Sequence, residues 1–387
     1  RYDRVEWGGA GAGPRVVEVS VPADAKPGVY RCGMMEVKVL DRVLPPPKEW
    51  KYYLDLWQHP WAVARIAGVR PFSKEHYAAM RPVWELLATA GQKTLTVTLL
   101  DEPWDHQCRD AYHSMVDGGF ELFDEYVEFG RSCGLGPDIS CYTLCPWKLM
   151  EKPGTPEFEA RWAPFIKSFA AHLKEKGWYD DVIIAMDERE PDQVKAVVDF
   201  VHRHAPGLRI AMAGNRKPSD FKGIDIDVYS QILSHVTPEF LSECDGRREK
   251  GFKTTYYVCC WPVKPNTFME SAGEEPFWLG AYPAFAGMDG FLRWAWNSWP
   301  EDPLADAGYG DWRAGDTFLA YPGGEPSWRF LELRNGIAAA EKARILRASD
   351  APGFAKAAAA FDLKTALDGK TEWWKVRRAV LDFVNAD

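Results

Sequence analysis

From about residue 50 onwards, short apolar runs alternate with helical patterns, and this alternation limits the possible folds more than any other feature of the chain. Apolar runs of this length that end at turn signals are typical of buried parallel strands. Eight of them follow one another, at residues 53–57, 94–100, 138–142, 182–186, 208–213, 226–230, 254–258 and 290–294. Eight strands that alternate with helices over about 300 residues predict an α/β fold, the (β/α)8 TIM barrel.

Helical patterns lie between most of these runs. Predicted helices cover residues 73–90, 156–176, 238–250 and 328–347, and a further helical pattern begins near residue 192. A doubly wound open sheet is the alternative fold, but it requires a glycine-rich phosphate loop after its first strand. The segment Gln58-His59-Pro60-Trp61, which follows the first strand here, is unsuited to that role.

The segments before and after the barrel differ from it in composition. Residues 1–47 are rich in strand-forming patterns and end in a run of three prolines, so we interpret them as the remnant of an N-terminal β-sandwich and a linker. Because the sequence starts inside this β-rich segment, we expect the beginning of the sandwich to be absent. The barrel is assigned to residues 48–348. Residues 349–387 contain helical stretches at 356–361 and 373–383 and are predicted to form a C-terminal helical extension.

Composition and charge exclude several classes of protein. The net charge is -9 and there is no run of Lys and Arg, so no nucleic acid is expected as a partner. No window of about 18 apolar residues exists, so no membrane span is predicted. The chain contains 18 Trp, and although any one of them is explained by packing, so many together favour an aromatic-lined carbohydrate cleft.

The eight cysteines are scattered along the chain and do not form a compact disulfide pattern. Cys141 and Cys145 are four residues apart, and Cys259 and Cys260 are adjacent at the end of a predicted strand. Neither spacing is that of a zinc site. We therefore interpret the cysteines as buried, reduced thiols that pack like small apolar side chains.

Two adjacent acids, Asp187 and Glu188, follow the fourth predicted strand and are the main candidates for catalysis. Barrel enzymes keep their catalytic residues at the carboxyl ends of the strands. Neighbouring side chains of a strand face opposite ways, so both acids can reach one ligand only if the backbone bends as the strand ends. The alternative explanation is that a helix N-terminus favours acidic residues through its dipole.

Taken together, the predicted strand ends offer acidic and aromatic side chains with few cations, which favours a sugar site over a phosphate site. The predicted substrate-binding residues are Trp57, His59, Tyr229, Tyr257, Trp261, Trp294, Trp296 and Asn297. The same strand ends also contain Asp101, Glu102, His106, Gln107, Tyr142 and Trp147. His59 and His106 have no third histidine at a metal-binding spacing, so neither a metal ion nor a cofactor is predicted.

Several segments of the chain together carry a specific resemblance. They are residues 54–65 (LDLWQHPWAVAR), 73–82 (SKEHYAAMRP), 172–178 (HLKEKGW), 185–189 (AMDER), 256–262 (YYVCCWP), 265–268 (PNTF), 290–299 (GFLRWAWNSW) and 315–323 (GDTFLAYPG). Over about residues 15 to 347, the chain resembles glycoside hydrolase family 123. The chain differs from the family pattern at His59, where asparagine is usual, and at Glu190, where proline is usual.

The resemblance implies an exo-acting β-N-acetylgalactosaminidase with a β-sandwich before its barrel. Such an enzyme acts with retention by substrate-assisted catalysis and needs no metal. Its substrate would be a glycan or glycolipid oligosaccharide with a terminal β-linked N-acetylgalactosamine (GalNAc). The family's Asp-Glu pair matches Asp187 and Glu188. Glu188 would then be the general acid and later the general base, and Asp187 would stabilise the acetamido nitrogen as the oxazolinium ion forms.

Elementary chemistry agrees with these roles. Adjacent carboxylates cannot easily flank a sugar ring from both faces, and using the acetamido oxygen of the substrate as nucleophile removes that need. A tyrosine hydroxyl would hold the acetamido oxygen, with Tyr257 the first choice and Tyr229 the second. The alternatives are an ordinary retaining glycosidase whose nucleophile is Asp101 or Glu102, and a non-catalytic carbohydrate-binding barrel protein.

Overall fold

The computed structural model describes residues 3, 19, 21–33, 35–101, 113–142, 144–145 and 151–386. Its strands are β1 (Gly28–Cys32), β2 (Met35–Val39), β3 (Tyr53–Leu56), β4 (Thr94–Thr98), β5 (Asp138–Tyr142), β6 (Val182–Asp187), β7 (Arg209–Gly214), β8 (Val228–Ile232), β9 (Lys253–Tyr257), β10 (Gly290–Arg293), β11 (Ala320–Tyr321) and β12 (Glu325–Pro326). Its helices are α1 (Pro60–Ala67), α2 (Lys74–Ala88), α3 (Glu121–Ser132), α4 (Pro156–Lys176), α5 (Pro191–His204), α6 (Pro238–Glu249), α7 (Glu275–Ala286), α8 (Trp328–Leu346), α9 (Ala351–Ala358), α10 (Leu363–Leu367) and α11 (Trp373–Val384).

Strands β3 to β10 form one parallel sheet that closes on itself. Their order is β3-β10-β9-β8-β7-β6-β5-β4, and a parallel bridge between Leu54 and Gln92 joins the two ends of that order. Each of the eight predicted strands overlaps an observed one, with ends that differ by two residues at most. The predicted (β/α)8 barrel is therefore confirmed, and the open-sheet alternative is wrong.

Two glutamine side chains complete the seam between β3 and β4, where the backbone ladder is short. The Gln92 side chain accepts a hydrogen bond from the Leu56 N–H at 3.0 Å and donates one to the Leu56 carbonyl at 3.1 Å. The Gln58 side chain accepts one from the Thr96 N–H at 2.9 Å. A primary amide carries both a donor and an acceptor, so it can replace the backbone partner that a strand lacks.

The helices around the barrel begin where side chains cap their free N–H groups. Ser73, Thr155, Thr237 and Ser327 each accept a hydrogen bond from the backbone N–H three residues further on, at the starts of α2, α4, α6 and α8. The four helices predicted with both bounds within the barrel, residues 73–90, 156–176, 238–250 and 328–347, are confirmed to within two residues at each end. Among the helices that the structure describes, none combines the length and the apolar character needed to cross a bilayer.

The C-terminal tail packs on the outside of the barrel, against α7 and α8. Its contacts with these two helices form a separate apolar core, made of Phe277, Ala281, Ala339, Ala343, Ala357, Val380, Phe383 and Val384. The helix predicted at 373–383 matches α11. The helix predicted at 356–361 is wrong in its bounds, because Asp350 and Asp362 cap two separate helices, α9 and α10.

Before the barrel, β1 and β2 form an antiparallel hairpin in which Gly28 pairs with Val39. Residues 1–20, apart from positions 3 and 19, lie outside the described residues. The assignment of residues 1–47 to a β-sandwich therefore stays a prediction, as do the barrel boundaries at 48 and 348.

Two apolar layers fill the inside of the barrel. The layer nearer the amino ends of the strands consists of Tyr53, Ile183, Ala185, Ala211 and Val228. The layer at the carboxyl ends, here called the mouth cluster, consists of Trp57, Ala213, Ile232, Tyr257, Leu292, Trp294 and Ala295. Function in this fold is concentrated at the carboxyl ends of the strands, so the mouth cluster marks where to look for a site.

Closure of the barrel requires a residue without a side chain at position 290. Gly290 pairs with Tyr53 where β10 meets β3. A Cβ atom at position 290 would lie 1.9 Å from the Tyr53 carbonyl oxygen, a distance at which no side chain fits.

We predict that Gly290→Ala lowers the free energy of unfolding by about 1–3 kcal/mol, the range for overpacked interiors, because β10 must move away from β3. Gly246→Ala is the matched control, since a Cβ atom at this position of α6 meets open space. Alanine there should leave stability unchanged or raise it by up to about 1 kcal/mol. Urea unfolding measures both variants, and equal stabilities would contradict the prediction.

Asp55 is an acid buried inside the barrel. Its carboxylate accepts a hydrogen bond from the Thr94 hydroxyl at 2.5 Å. Burial raises the pKa of Asp55 from 3.8 to about 6, and its hydrogen bonds only partly oppose that rise. The folded protein therefore binds this proton more tightly than the unfolded chain does. Stability falls as the pH rises from about 4 to about 6, and the full cost is present above that range.

Asp55→Asn places a side chain that cannot ionise at this position. We predict that the free energy of unfolding of the variant, relative to that of the wild type, is higher at about pH 7.5 than at about pH 4. The difference should reach up to about 3 kcal/mol, from a pKa displacement of this size. Urea unfolding of both proteins at the two pH values gives the comparison. A stability difference that does not change with pH would contradict the assignment of the cost to the Asp55 charge.

Candidate active site

The backbone turns sharply where β6 ends, between Asp187 and Glu188. Asp187 is the last residue of β6 and pairs with Ala213 of β7. Glu188 has a φ of +48°, in the left-handed region that residues other than glycine rarely adopt. Its N–H donates to the Ala213 carbonyl at 2.7 Å. The bend that would let both acids serve one ligand is therefore present, and both side chains are half-buried.

Tyr257 links Glu188 to the opposite wall of the barrel. It ends β9 within the mouth cluster, and its hydroxyl donates a hydrogen bond to Glu188 Oε1 at 2.5 Å. Burial raises the pKa of Tyr257 far above its usual value, and the charges of Glu188 and Asp187 raise it further. The hydroxyl therefore stays protonated at ordinary pH and remains a donor. Both carboxylates lie near enough to this hydroxyl for their charges to act on it.

Aromatic rings line the mouth of the barrel. The rings of Trp57 and Tyr142 have centroids 4.6 Å apart, and those of Trp294 and Trp312 are 5.0 Å apart. Tyr142 and Trp312 pack against the mouth cluster. Such flat apolar surfaces suit the apolar faces of sugar rings. No sequence pattern predicted a role for Trp312, because it lies in the connection after β10 rather than at a strand end.

A fully buried ion pair holds Trp294 in position. Arg293 donates to the Asp316 carboxylate at 2.7 Å, and the Trp294 indole N–H donates to the same oxygen at 3.3 Å. Arg293 also donates to the Val258 carbonyl at 3.2 Å and to the Asn266 side chain at 3.1 Å. The guanidinium thus joins the end of β9, the end of β10 and the loop at position 316. Sequence reasoning missed this pair, although an arginine within an apolar run indicates a carboxylate nearby.

The predicted residues His59 and Asn297 bind each other. The Asn297 side chain accepts a hydrogen bond from the His59 N–H and donates one to the His59 carbonyl, both at 3.0 Å. The His59 ring lies 3.2 Å from the Trp294 carbonyl. Both residues are buried, and their hydrogen bonds join the segment after β3 to the segment after β10, next to Trp294.

Trp261 stands at the rim of the mouth, on the loop that follows β9. Its side chain is 56% exposed, the largest exposure of any tryptophan described. Cys259, two residues earlier, packs against the mouth cluster, which fixes where this loop lies. Trp261 is therefore available to a ligand that extends out of the barrel.

The structure does not bring Tyr229 and Trp296 to the mouth. Tyr229 faces outward from β8, where its hydroxyl donates to the Arg216 carbonyl and its ring packs near Phe221. The Trp296 ring packs against Phe330 of α8, with centroids 4.8 Å apart. Both side chains are fully buried in the core between the barrel and its helices.

Four residues noted at strand ends lie outside the described residues: Glu102, His106, Gln107 and Trp147. Asp101 is exposed, and its carboxylate accepts a hydrogen bond from the Ser114 N–H at 2.6 Å. Within the described ranges, no three His, Cys, Asp or Glu side chains are grouped so as to hold a metal ion. Asp187 and Glu188 are the acids that lie beside Tyr257 of the mouth cluster among the residues that the structure describes.

Comparison with known proteins agrees with this geometry. The glycoside hydrolase 123 catalytic domain matches residues 57–346. No curated protein matches the sequence. Among solved structures, a family 123 glycoside hydrolase from Clostridium perfringens, studied for glycolipid glycan hydrolysis, aligns with a TM-score of 0.83 and 25% identity over 95% of this chain and 77% of that one.

More distant barrel enzymes align less well. Cellulase Cel5C_n has a TM-score of 0.45 and 11% identity over 80% of this chain and 91% of that one. The endo-beta1,6-glucanase BT3312 has a TM-score of 0.48 and 9% identity over 80% of this chain and 81% of that one. The family domain covers most of the present chain, and the protein therefore belongs to glycoside hydrolase family 123 and is a glycosidase.

Proposed function

We propose that the protein removes terminal β-linked GalNAc from glycans or glycolipid oligosaccharides, with retention and by substrate-assisted catalysis. One observation carries this proposal: Asp187 and Glu188 are adjacent, and the left-handed backbone at Glu188 presents both carboxylates to one barrel mouth. The glycolipid glycan hydrolysis studied in the Clostridium perfringens relative supports the substrate class.

The adjacency of the two acids favours substrate assistance over a protein nucleophile. In an ordinary retaining glycosidase, the acid and the nucleophile act on opposite sides of the scissile bond and lie about 5 Å apart. Side chains that leave one strand end beside each other, and that both act on the Tyr257 hydroxyl, come from the same side of the mouth. A substrate that supplies its own acetamido oxygen as nucleophile needs only one acid and one charge-stabilising group.

Each acid then has a distinct task. Glu188 gives its proton to the glycosidic oxygen as the acetamido oxygen bonds to the anomeric carbon and the aglycone leaves. Asp187 stabilises the positive charge that develops on the acetamido nitrogen. The Glu188 carboxylate next removes a proton from water, whose oxygen opens the oxazolinium ring and restores the β configuration.

We expect the Tyr257 hydroxyl to donate to a different acceptor in each protonation state of Glu188. With Glu188 ionised, the hydroxyl donates to it, as the structure shows. A neutral carboxyl is a weaker acceptor than a carboxylate, so protonation of Glu188 releases the hydroxyl to donate to the acetamido oxygen. The rings of Trp57 and Trp294 would enclose the sugar, and Trp261 would contact the aglycone beyond it.

The direct test is the cleavage of p-nitrophenyl β-glycosides of GalNAc, N-acetylglucosamine and galactose, with NMR observation of the first sugar released. Cleavage of the GalNAc glycoside with β-GalNAc as the first product supports the proposal. Comparable cleavage of the galactoside, which has no acetamido group, would exclude substrate assistance. Initial release of the α anomer would exclude retention.

We predict that Glu188→Gln lowers kcat by about 10²–10⁴ on a GalNAc disaccharide, because its poor leaving group needs a proton. The p-nitrophenyl glycoside, whose leaving group is good, should lose much less in its first step. Glu190→Gln is the control, because Glu190 is exposed, pairs with Arg216 at the surface, and as glutamine keeps an oxygen that can cap α5. Equal, mild losses on both substrates would remove Glu188 from the acid role.

We predict that Asp187→Asn lowers kcat by about 10² or more, the scale of one preorganised electrostatic contact. Binding of GalNAc-thiazoline, a stable mimic of the oxazoline, should weaken in parallel because its nitrogen loses the same partner. Inhibition constants for wild type and variant give the measurement. Undiminished inhibition of the variant would contradict the role of Asp187.

We predict that Tyr257→Phe lowers kcat by about 10² and raises KM less, because the hydroxyl aligns groups in the transition state. Tyr256→Phe is the matched control on the same strand. Its hydroxyl donates to the Leu279 carbonyl at 2.6 Å on the outer face of the barrel. That variant should lose about 1 kcal/mol of stability and keep its kcat. The reverse pattern, with Tyr257→Phe less stable but fully active, would make Tyr257 a structural residue.

A further inference from the structure

The adjacent cysteines Cys259 and Cys260 form an accessible thiol pair at the rim of the mouth. Their sulfur atoms lie 3.9 Å apart, with Cys260 exposed and Cys259 partly so. The interpretation of the cysteines as buried thiols holds for Cys133, Cys141, Cys145 and Cys244 but is wrong for this pair. The glycosidase mechanism gives neither thiol a task.

The pair is chemically activated. Contact between the two thiols lowers the pKa of Cys260 to about 7 and, together with burial, raises the pKa of Cys259. The Cys259 thiol also donates to the Trp261 carbonyl at 3.4 Å. A large fraction of Cys260 is therefore thiolate near neutral pH, while Cys259 keeps a proton that it can lose on binding. Thiolate is the form that attacks electrophiles and binds soft ions.

The loop that carries the thiols is held in place. The Asn266 side chain donates to the carbonyls of Cys259 at 2.9 Å and Pro262 at 2.6 Å, and Arg293 in turn donates to Asn266. Cys259 also packs against the mouth cluster. A group bound by both sulfurs would therefore stay next to the entrance of the barrel.

The spacing of the sulfurs suits a bridging atom better than a direct disulfide. Two bonds of about 2.3 Å, the length of zinc–thiolate bonds, would span sulfurs 3.9 Å apart at slightly more than the tetrahedral angle. A trivalent, pyramidal centre has smaller angles, and small rotations of the two side chains would bring the sulfurs close enough for it. Adjacent α-carbons are only about 3.8 Å apart, whereas those joined by a disulfide usually lie about 4.4–6.8 Å apart. Closing a disulfide here would thus strain the backbone, and bridging by one larger atom would not.

Zinc itself is a poor fit. Structural zinc takes four protein ligands and catalytic zinc three. Across the described ranges no third His, Cys, Asp or Glu completes such a set. The occupant should therefore be a thiophilic centre that is satisfied by two sulfurs.

We propose that Cys259 and Cys260 form a binding site for trivalent arsenic carrying one organic group, and that its occupation inhibits the enzyme. The arsenical, R–As(OH)2, exchanges both hydroxyls for sulfur. Two As–S bonds form and two As–O bonds break, without any oxidation or reduction. Each departing hydroxyl leaves as water, with a proton from the thiol or, where the sulfur is already ionised, from the solvent. The arsenic and its organic group then lie beside Trp261 and obstruct entry of the sugar.

The test uses phenylarsine oxide on the full chain carrying Cys32→Ser and Cys108→Ser. The remaining thiols are then the six whose burial the structure describes. Intact mass spectrometry measures the adduct independently of any activity. Residual turnover of a chromogenic glycoside measures inhibition. We expect one arsenical per chain, loss of turnover, and recovery with a dithiol but not with the same concentration of a monothiol.

Cys260→Ser in the same background is the decisive variant, because Cys260 is exposed and its replacement should leave folding and turnover unchanged. It should bind the arsenical about 10² times more weakly or worse, since the second bond is no longer formed within a chelate. Cys244→Ser, which removes a buried thiol, should bind as tightly as the parent. An adduct that survives Cys260→Ser, an adduct without inhibition, or conversion of the pair to a disulfide instead of an adduct would each overturn the proposal.

Discussion

Close contact between β3 and β10 is the constraint on which the rest of the molecule depends. Gly290 allows the backbones to approach at one side of β3, and two glutamine side chains complete the other side. Only when β3 has both neighbours does the sheet become a ring. In a ring the carboxyl ends of all the strands converge, which is why residues as far apart in the chain as Trp57 and Trp294 meet in one cluster.

The acid pair adds a local conformational cost to this scaffold. A left-handed backbone at a residue other than glycine costs on the order of 1 kcal/mol or more and persists only where its surroundings enforce it. Here the Glu188 N–H is bonded to the Ala213 carbonyl, and the Glu188 carboxylate is bonded to Tyr257. Hydrogen bonds to the backbone N–H and to the side-chain carboxylate of Glu188 thus hold the unfavourable conformation. Glu188 is also the residue proposed as the general acid.

The strands and the acid pair could be predicted from the sequence because their signals are local. Apolar runs mark strands buried on both faces, and acids directly after such a run mark a strand end. Because both faces of these strands are buried and apolar, the pattern does not indicate which side chains point into the barrel. In β8, Val228 points into the barrel and Tyr229 points out, yet both are large and apolar, so no contrast in polarity distinguishes them. Because this contrast is missing, the sequence predicts Tyr229 at the site although its side chain faces outward.

The remaining site residues depend on contacts between distant segments. Trp312 reaches the mouth from a connection that has no regular sequence pattern. The Asn297 amide forms hydrogen bonds with the backbone N–H and carbonyl of His59. Trp296 is two residues after Trp294, the spacing of side chains on one face of a strand. However, β10 ends at Arg293, and the Trp296 ring packs against Phe330 of α8. Periodicity carries no information about such pairings, because each is decided by where two loops meet.

The buried Arg293–Asp316 pair has a consequence for how this family can diverge. Removing either partner would leave the other charge buried alone, at a cost of about 3–5 kcal/mol, whereas replacing both by apolar residues that fit is far less costly. Because the same guanidinium also binds the Val258 carbonyl, a change here reaches the strand end that carries Tyr257. Substitutions at positions 293 and 316 should therefore occur together among related sequences, and lineages that exchange the pair should also differ in the loop that carries Cys259 and Trp261.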